Sequence, residues 1–525
     1  MRKSVVFILF FLAAISLWWC SRNAENKAFD ERKGGSVIIA LQGAPENLFP
    51  LSIREYDSYE ISRHLLNPAL TLTDNNGAVQ PVLARAWQTD SENATITYFV
   101  DPDRRWSDGR PLTAYDVQET FNFIRANSEK VSPSLRLEIV DSVQVLDSLS
   151  VRFYLDRVIS DPALITRFPV LPAHKIEGIS WEDLESGFHD NFIGCGPYML
   201  ASYAESRVVL QRNPFYDPQA APDSIVFRFY AEGDTLARWI NKREPDLVPD
   251  VAHYLLRTVR QNDYYHIEPS VERGFTFLGW NLEHPVLKDK RVRRALSMAI
   301  DRQTITDGVM SGYAQVQDVP SYPEFWAYAP LTFFPYDPVR SRAMLDSSNI
   351  AVQDDVRRSG RKTLLEPSIL VNAENPLRIS IAQNIANYWQ ALGLNAAVEI
   401  VPWQQMLQRL RNGTFDVALI SWVADDVFDP TELFHSQSIT TDNNFMRYSS
   451  DSVDAFLMNA LTHPQRDERR RNWQEFQRKI AEDIPVTVMF NKRQINLVSK
   501  RLQDVRINSR GYLINAKEWW LDGRR

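Results

Sequence analysis

The chain has 525 residues, 59 Lys plus Arg against 66 Asp plus Glu, a formal net charge of −7, and 44% hydrophobic and 24% charged residues. That balance excludes global disorder, because there is ample apolar side chain to bury, and without a basic block it argues against nucleic acid as the main partner. Glycine is scarce at 19 residues beside 14 Trp and 19 Tyr, which disfavours Gly-rich phosphate loops and suits a large cleft walled by flat, amphipathic side chains.

Arg2 and Lys3 precede an apolar run from Val5 to Trp19 in which Ser16 alone is polar. As a helix it reaches about 22 Å, short of the roughly 30 Å of a bilayer core. Residues 1–20 therefore read as a signal peptide and the chain as exported. Cys20 closes the run, where bacterial lipoproteins carry the cysteine that is lipidated; an uncleaved membrane anchor is the alternative. Polar residues 21–34 suit a tether. The only other cysteine, Cys195, rules out a disulfide scaffold and reads as a small buried thiol.

Val37 to Leu41 is a short apolar strand. From Ala94 to Val100 the pattern alternates, with Ile96, Tyr98 and Val100 on one face and Thr95, Thr97 and Phe99 on the other. Arg105 to Gly109 is turn chemistry. Thr113 to Asp116 forms a capping box that opens a helix bearing Val117, Phe121 and Ile124. A second helix begins at Asp289 with Val292, Leu296, Ala299 and Ile300 on one stripe. A third gathers Ile381, Ile385, Trp389 and Leu392 and stops at Gly393. Val398 and Ile400 mark a strand, as does Phe415 to Ser421, while Asp346 to Glu366 reads as a surface excursion. Strands alternating with helices predict an α/β fold.

No chemical constellation stands out. There is no G-x-S-x-G elbow, no H-E-x-x-H and no phosphate loop, and the eight histidines lack metal-site spacing. Gly194-Cys195-Gly196 begins like a dinucleotide fingerprint, but Met199 occupies the third glycine position. The expectation is a protein without catalysis, cofactor or metal.

Four ordered segments carry a resemblance. The first is Tyr98-Phe99-Val100 followed by Trp106 through Val117. Next come Gly194-Cys195-Gly196-Pro197-Tyr198 with Arg212-Asn213-Pro214 and Tyr216. Asn281 with Asp289 through Arg302 is the third and most specific, and Phe415-Asp416-Val417-Ala418 with Trp422 and Ala424-Asp425 is the fourth. With Pro81 to Ala84 and Trp87 they span almost all of residues 35 to 500, and the chain resembles the extracellular solute-binding protein family 5, receptors of ABC importers for oligopeptides, dipeptides and nickel.

The resemblance implies a two-lobed periplasmic-binding-protein fold (type II, cluster C-like) with an extra inserted domain. Lobe I would comprise 35–55, 191–280 and 492–525, the inserted domain II 56–190, and lobe III 281–491. Ligand would lie between lobes I and III, which close by a hinge motion and pass the solute to membrane permease subunits. Asp425 matches the residue that pairs with a peptide's α-ammonium, with Trp422 and Trp403 as cleft wall. Most other motif residues read as scaffold. The acidic loop Asp425 to Asp429, and Asn67-Pro68 where Glu-Gly is frequent, keep other occupants open: a nickel chelate, an oligosaccharide, an opine-like solute, or a sensory or chaperone-like role. A monomer anchored by lipid in the cell envelope is expected.

Overall fold

In the computed structural model, residues 34–523 are described except 75–77, 91, 133, 134, 136, 160, 165, 217–219, 232, 349, 354, 355, 360–362, 365, 425, 426, 441 and 442. The apolar run, Cys20 and the tether lie outside that set, and so does Asp425. Among the described residues no helix is long and apolar enough to cross a membrane.

The apolar run after Gly35 forms β1 (Ser36–Gln42), with Val37 and Ile39 fully buried. The chain then leaves through a short helix, α1 (Tyr56–Ile61), and builds a four-stranded antiparallel sheet from β2 (Ala84–Asp90), β3 (Thr95–Val100), β4 (Val140–Asp147) and β5 (Ser150–Leu155), in the order β2-β3-β5-β4. The strand β3 forms where expected, but burial does not alternate: Ile96, Tyr98 and Val100 are fully buried, Thr95 and Thr97 on the other face are buried too, and only Phe99 is half-buried, because the inserted sheet is covered on both faces. The helix α2 (Ala114–Ala126) starts where the capping box requires, the Asp116 carboxylate accepting from Thr113 N at 2.8 Å. Its other oxygen accepts from Ala173 N at 2.8 Å, so the cap also pins a neighbouring helix. Gly109 takes φ 87° in the turn, a conformation that costs a side chain dearly.

The inserted sheet does not build a separate core. Ile96, Tyr98 and Trp106 fall in one apolar cluster with Val37, Ile39 and Leu210. Cys195 belongs to the same cluster, and burial pushes its thiol well above the ordinary range, which makes it inert.

The chain returns as β6 (Tyr198–Ala204), β7 (Arg207–Arg212), β8 (Ser224–Tyr230), β9 (Leu247–Val248) and β10 (Tyr265–Val271), which complete the first lobe's sheet. Then β11 (Gly274–Trp280), β12 (Ala314–Val316), β13 (Ser368–Asn372), β14 (Ala397–Val401) and β15 (Val417–Val423) form the second. One long strand, β16 (Val486–Ser499), joins them: its first half pairs β11 and β12, its second half β9 and β10. The result is two sheets of mixed topology sharing a single strand.

Helices α3 (Lys290–Met298), α4 (Arg302–Gly308) and α5 (Pro376–Gln390) cover the second sheet's far face, where Trp280 and Trp389 meet at 5.8 Å between centroids. Helices α6 (Trp403–Asn412) and α7 (Arg466–Asp483) contribute to a second cluster around Phe277, Trp473 and Phe476. The most specific sequence motif is bracing. The Arg293 guanidinium donates to the carbonyls of Leu287, Lys288, Asp483 and Ile484 at 2.6–2.8 Å, and burial brings its pKa down to about 10. Arg302 meets Asp318 at 2.6 Å and donates to Val488 and Phe334 carbonyls.

Two local expectations shift. The strand expected over Phe415 to Ser421 runs Val417–Val423, because Phe415 and Asp416 are taken up in a turn gripped by Asn281. The excursion at Asp346 to Glu366 is not plain loop: Ile350–Gln353, Val356–Ser359 and Thr363–Leu364 form a small antiparallel sheet. Strands of two to four residues are too short to leave a periodic signal.

Candidate functional site

Strand directions point to a candidate site. In the second sheet β13, β14 and β15 are mutually parallel; in the first, β1, β8 and β9 are parallel. Register along β16 puts the carboxyl ends of both sets towards the point where the chain changes sheets, Val271 opposite Arg493 and Gly274 opposite Val423. Ligands of open α/β sheets bind outside the carboxyl ends of the strands. Here two such edges face one another, with the crossover as floor.

That floor is closely bonded. Asn491 donates from one amide nitrogen to the carbonyls of Glu272 and Gly274, both at 2.7 Å. Glu272 N donates to Lys492 O at 3.0 Å. The Lys492 ammonium lies 3.2 Å from Asp250 and 3.9 Å from Glu272. Burial works against its charge, and the two carboxylates outweigh it and raise its pKa. The Glu272 carboxyl is pushed up by burial, with Lys492 opposing.

On the second lobe's edge stands Trp422, half-buried at the end of β15. Its ring lies 5.6 Å from that of Phe275 and 5.5 Å from that of Phe428. Its indole N–H donates to Glu432 at 2.7 Å, and the other Glu432 oxygen accepts from Asn443 at 3.1 Å. The rest of the strand end is tied to the floor. Ala424 N donates to Arg273 O at 2.7 Å, and a Cβ on Gly274 would sit 2.1 Å from the Trp422 carbonyl oxygen. Only glycine permits that approach. Trp403 opens α6 just beyond β14, 36% exposed, its backbone N–H donating to Glu374 at 3.1 Å. Both tryptophans are thus on the carboxyl edge of the same parallel strands, with Trp422 held by its indole and Trp403 only by its backbone.

The first lobe's edge gathers a further group that no sequence motif marks: Tyr56 and Tyr254, 41% and 72% exposed, with Asp57, Tyr230 and Asp250. Asp57 is raised to about 6 by burial and by the neighbouring carboxylates of Glu55, Glu60 and Asp250, against the opposing hydrogen bond from Tyr512 at 2.9 Å. Tyr230 ends β8 and Asp250 lies two residues past β9, the positional signal that could have marked them. Tyr56 and Asp57 sit in a stretch assigned to the inserted unit, yet α1 is fixed to the C-terminal segment by Glu60, which accepts from Tyr512 N and Leu513 N at 3.0 and 3.2 Å.

This geometry has close counterparts. Residues 78–445 match the model of the bacterial extracellular solute-binding proteins, family 5 (middle). The oligopeptide-binding protein AppA of Bacillus subtilis is 23% identical over 99% of this chain and 98% of its own length. The probable D,D-dipeptide-binding periplasmic protein DdpA of Escherichia coli is 24% identical over 81% of each chain. Among solved structures, AppA in complex with a nonapeptide superposes with a TM-score of 0.72 over 94% of this chain and 99% of that one, at 22% identity. NikZ of Campylobacter jejuni in complex with Ni(L-His) gives 0.73 over 92% and 99%, also at 22% identity, and HbpA2 of Haemophilus parasuis gives 0.81 over 93% and 100%, at 19% identity. These structures have the two-lobed fold seen here, and the chain belongs to the bacterial extracellular solute-binding proteins, family 5.

Proposed function

We propose that this chain is the receptor subunit of a peptide-type ABC importer, capturing an oligopeptide or dipeptide between its lobes and delivering it to membrane permease subunits. The observation that carries the reading is the pair of facing strand edges over one bonded crossover, with Trp422 fixed at the rim. Relatives named for oligopeptide and D,D-dipeptide binding, alignable along most of their length, favour a peptide as the solute.

In this reading the first lobe boundary, expected at 280/281, moves back to 272–274 because Gly274–Trp280 pairs within the second sheet. The other stays at 491–492, and ligand closes the cleft by binding the closed form more tightly. Asp425 takes the ligand's α-ammonium: a carboxylate desolvated between closing lobes needs a cationic partner, because a buried unpaired charge costs several kcal/mol. Trp422, and more peripherally Trp403, wall the cleft. Residues 1–20 direct export, Cys20 carries lipid, and residues 21–34 tether a monomer in the cell envelope.

Native mass spectrometry of the purified protein is the test, and co-purified peptides are the expected result. In calorimetry, Asp425→Asn should weaken free-amine peptides and leave N-acetylated ones unchanged. Equal affinity of the wild type for both forms sinks the ammonium pairing; co-purified metal chelate or sugar without peptide sinks the peptide reading. A Cys20→Ser chain that stays membrane-bound, with no lipid mass on the wild type, removes the anchor.

A further inference from the structure

Away from the crossover strands, the two lobes touch again. Ser509, in the C-terminal segment of the first lobe, donates its backbone N–H to Glu324 Oε2 at 3.0 Å. Neither side of that contact is a loose loop. The Ser509 segment is held by Glu60 through Tyr512 N and Leu513 N. Gly511 lets it run so close to that carboxylate that a Cβ would lie 2.2 Å from Glu60 Oε2. Glu324 adjoins Phe325, whose ring lies 4.5 Å from Phe428 and 5.6 Å from Trp473 in the second lobe's aromatic core.

A second approach, electrostatic in kind, reaches the same part of the second lobe. Asp161, just after the last strand of the inserted sheet, lies within electrostatic reach of Arg466 and Arg469 in the first turn of α7. Arg466 in turn covers Trp326, 4.8 Å from the ring centroid, two residues along from Glu324. Glu324, Trp326, Arg466 and Arg469 thus make one face, met by the C-terminal segment on one side and by the inserted unit on the other. The inserted unit thereby approaches the second lobe as well as the first.

We propose that this face is a closure latch, in which Glu324 with Ser509, and Arg466 and Arg469 with Asp161, hold the second lobe against the first lobe and its inserted unit and set how much of the empty receptor is closed. The inference rests on reading the chain as a two-lobed receptor that opens and closes. Contacts made only in the closed form raise the closed fraction, and apparent affinity falls in proportion when that fraction falls. Polar contacts that solvent partly reaches suit the task. They are worth little individually, so they bias closure without trapping the protein shut before ligand enters. A latch of this kind scales the affinity of every ligand by one factor, whereas a cleft residue discriminates among ligands.

The test reads the ligand-free protein by small-angle X-ray scattering and the binding of trialanine by calorimetry. Glu324→Ala and Asp161→Arg should each enlarge the radius of gyration of the empty protein and weaken trialanine by roughly three- to tenfold, with unchanged thermal midpoints. Adding Arg466→Glu and Arg469→Glu to Asp161→Arg should return the scattering curve to that of the wild type. Scattering of Glu324→Ala and Asp161→Arg indistinguishable from the wild type, or a charge swap that fails to restore closure, overturns the latch. Because scattering needs no ligand, a wild type that ignores trialanine while its variants still open would count against the peptide reading and leave the latch standing.

Discussion

Asp246 and Arg501, 255 residues apart, form a two-pronged ion pair: Arg501 Nε reaches Asp246 Oδ1 at 2.5 Å and NH2 reaches Oδ2 at 2.9 Å. The carboxylate is almost wholly buried, with 2% of its side chain exposed, and it also accepts from Ile38 N at 2.9 Å and Ser499 Oγ at 3.2 Å. One side chain therefore joins β1, the end of β16 and the segment beyond it. This lobe is assembled from distant pieces of chain, and Asp246 sits where those pieces meet.

The two halves of that pair should not cost the same to remove. Arg501→Met leaves a buried carboxylate without its cation, a loss of roughly 3–5 kcal/mol. Asp246→Asn leaves a guanidinium that is 18% exposed and can rehydrate, so its loss should be smaller. The double variant should lose less than the sum of the singles. Urea unfolding of the three variants decides this; equal and additive losses would mean the pair does not couple.

Trp422 and Glu432 give the second prediction. If the indole is a cleft wall, Trp422→Ala should weaken peptide binding about tenfold or more, as truncation of a central aromatic anchor does. Glu432→Ala frees the indole N–H and should weaken binding about threefold, while Glu432→Gln keeps an acceptor and should recover most of it. Calorimetry with a free-amine peptide reads all three. Rescue by glutamine separates orientation of the ring from charge; a Glu432→Gln loss equal to that of Glu432→Ala would point to charge.

The third concerns pH. Asp57 titrates near 3.8 when unfolded and at about 6 when folded, raised by burial and by Glu55, Glu60 and Asp250. Between those values the folded state binds more protons, so stability falls as pH rises across the window. Asp57→Asn removes that dependence while retaining an acceptor for the Tyr512 hydroxyl. Its thermal midpoint should match the wild type below about pH 4 and exceed it above about pH 6.5, with the gap opening in between. A pH-independent gap would refute the assignment.

Much of the scaffold was legible because its signals are local. The Thr113–Asp116 cap, the stripe Val117, Phe121, Ile124 and the strand β3 depend on neighbours a few residues away, and each forms where those neighbours dictate. Asn281, Arg293 and Arg302 belong to the scaffold motif, and they spend their donors on backbone carbonyls, Arg302 also on the Asp318 carboxylate. The small sheet from Ile350 to Leu364 escaped because its strands are too short for periodicity. Trp422 belongs to the fourth family segment while Trp403 lies outside all four, and no periodic pattern points to either.

What the sequence determined by itself is the set of elements, their order and the family they resemble, since hydrophobic period, caps and turns act within a few residues. The tertiary structure alone decided which elements share a sheet and which edges face each other. A single strand, β16, serves both sheets, and this brings Asp57, Asp250 and Lys492 to one floor and Trp422 to its rim. Those residues meet through pairings between segments far apart in the chain, where each contact exists only once the strands have registered, and no local pattern encodes it.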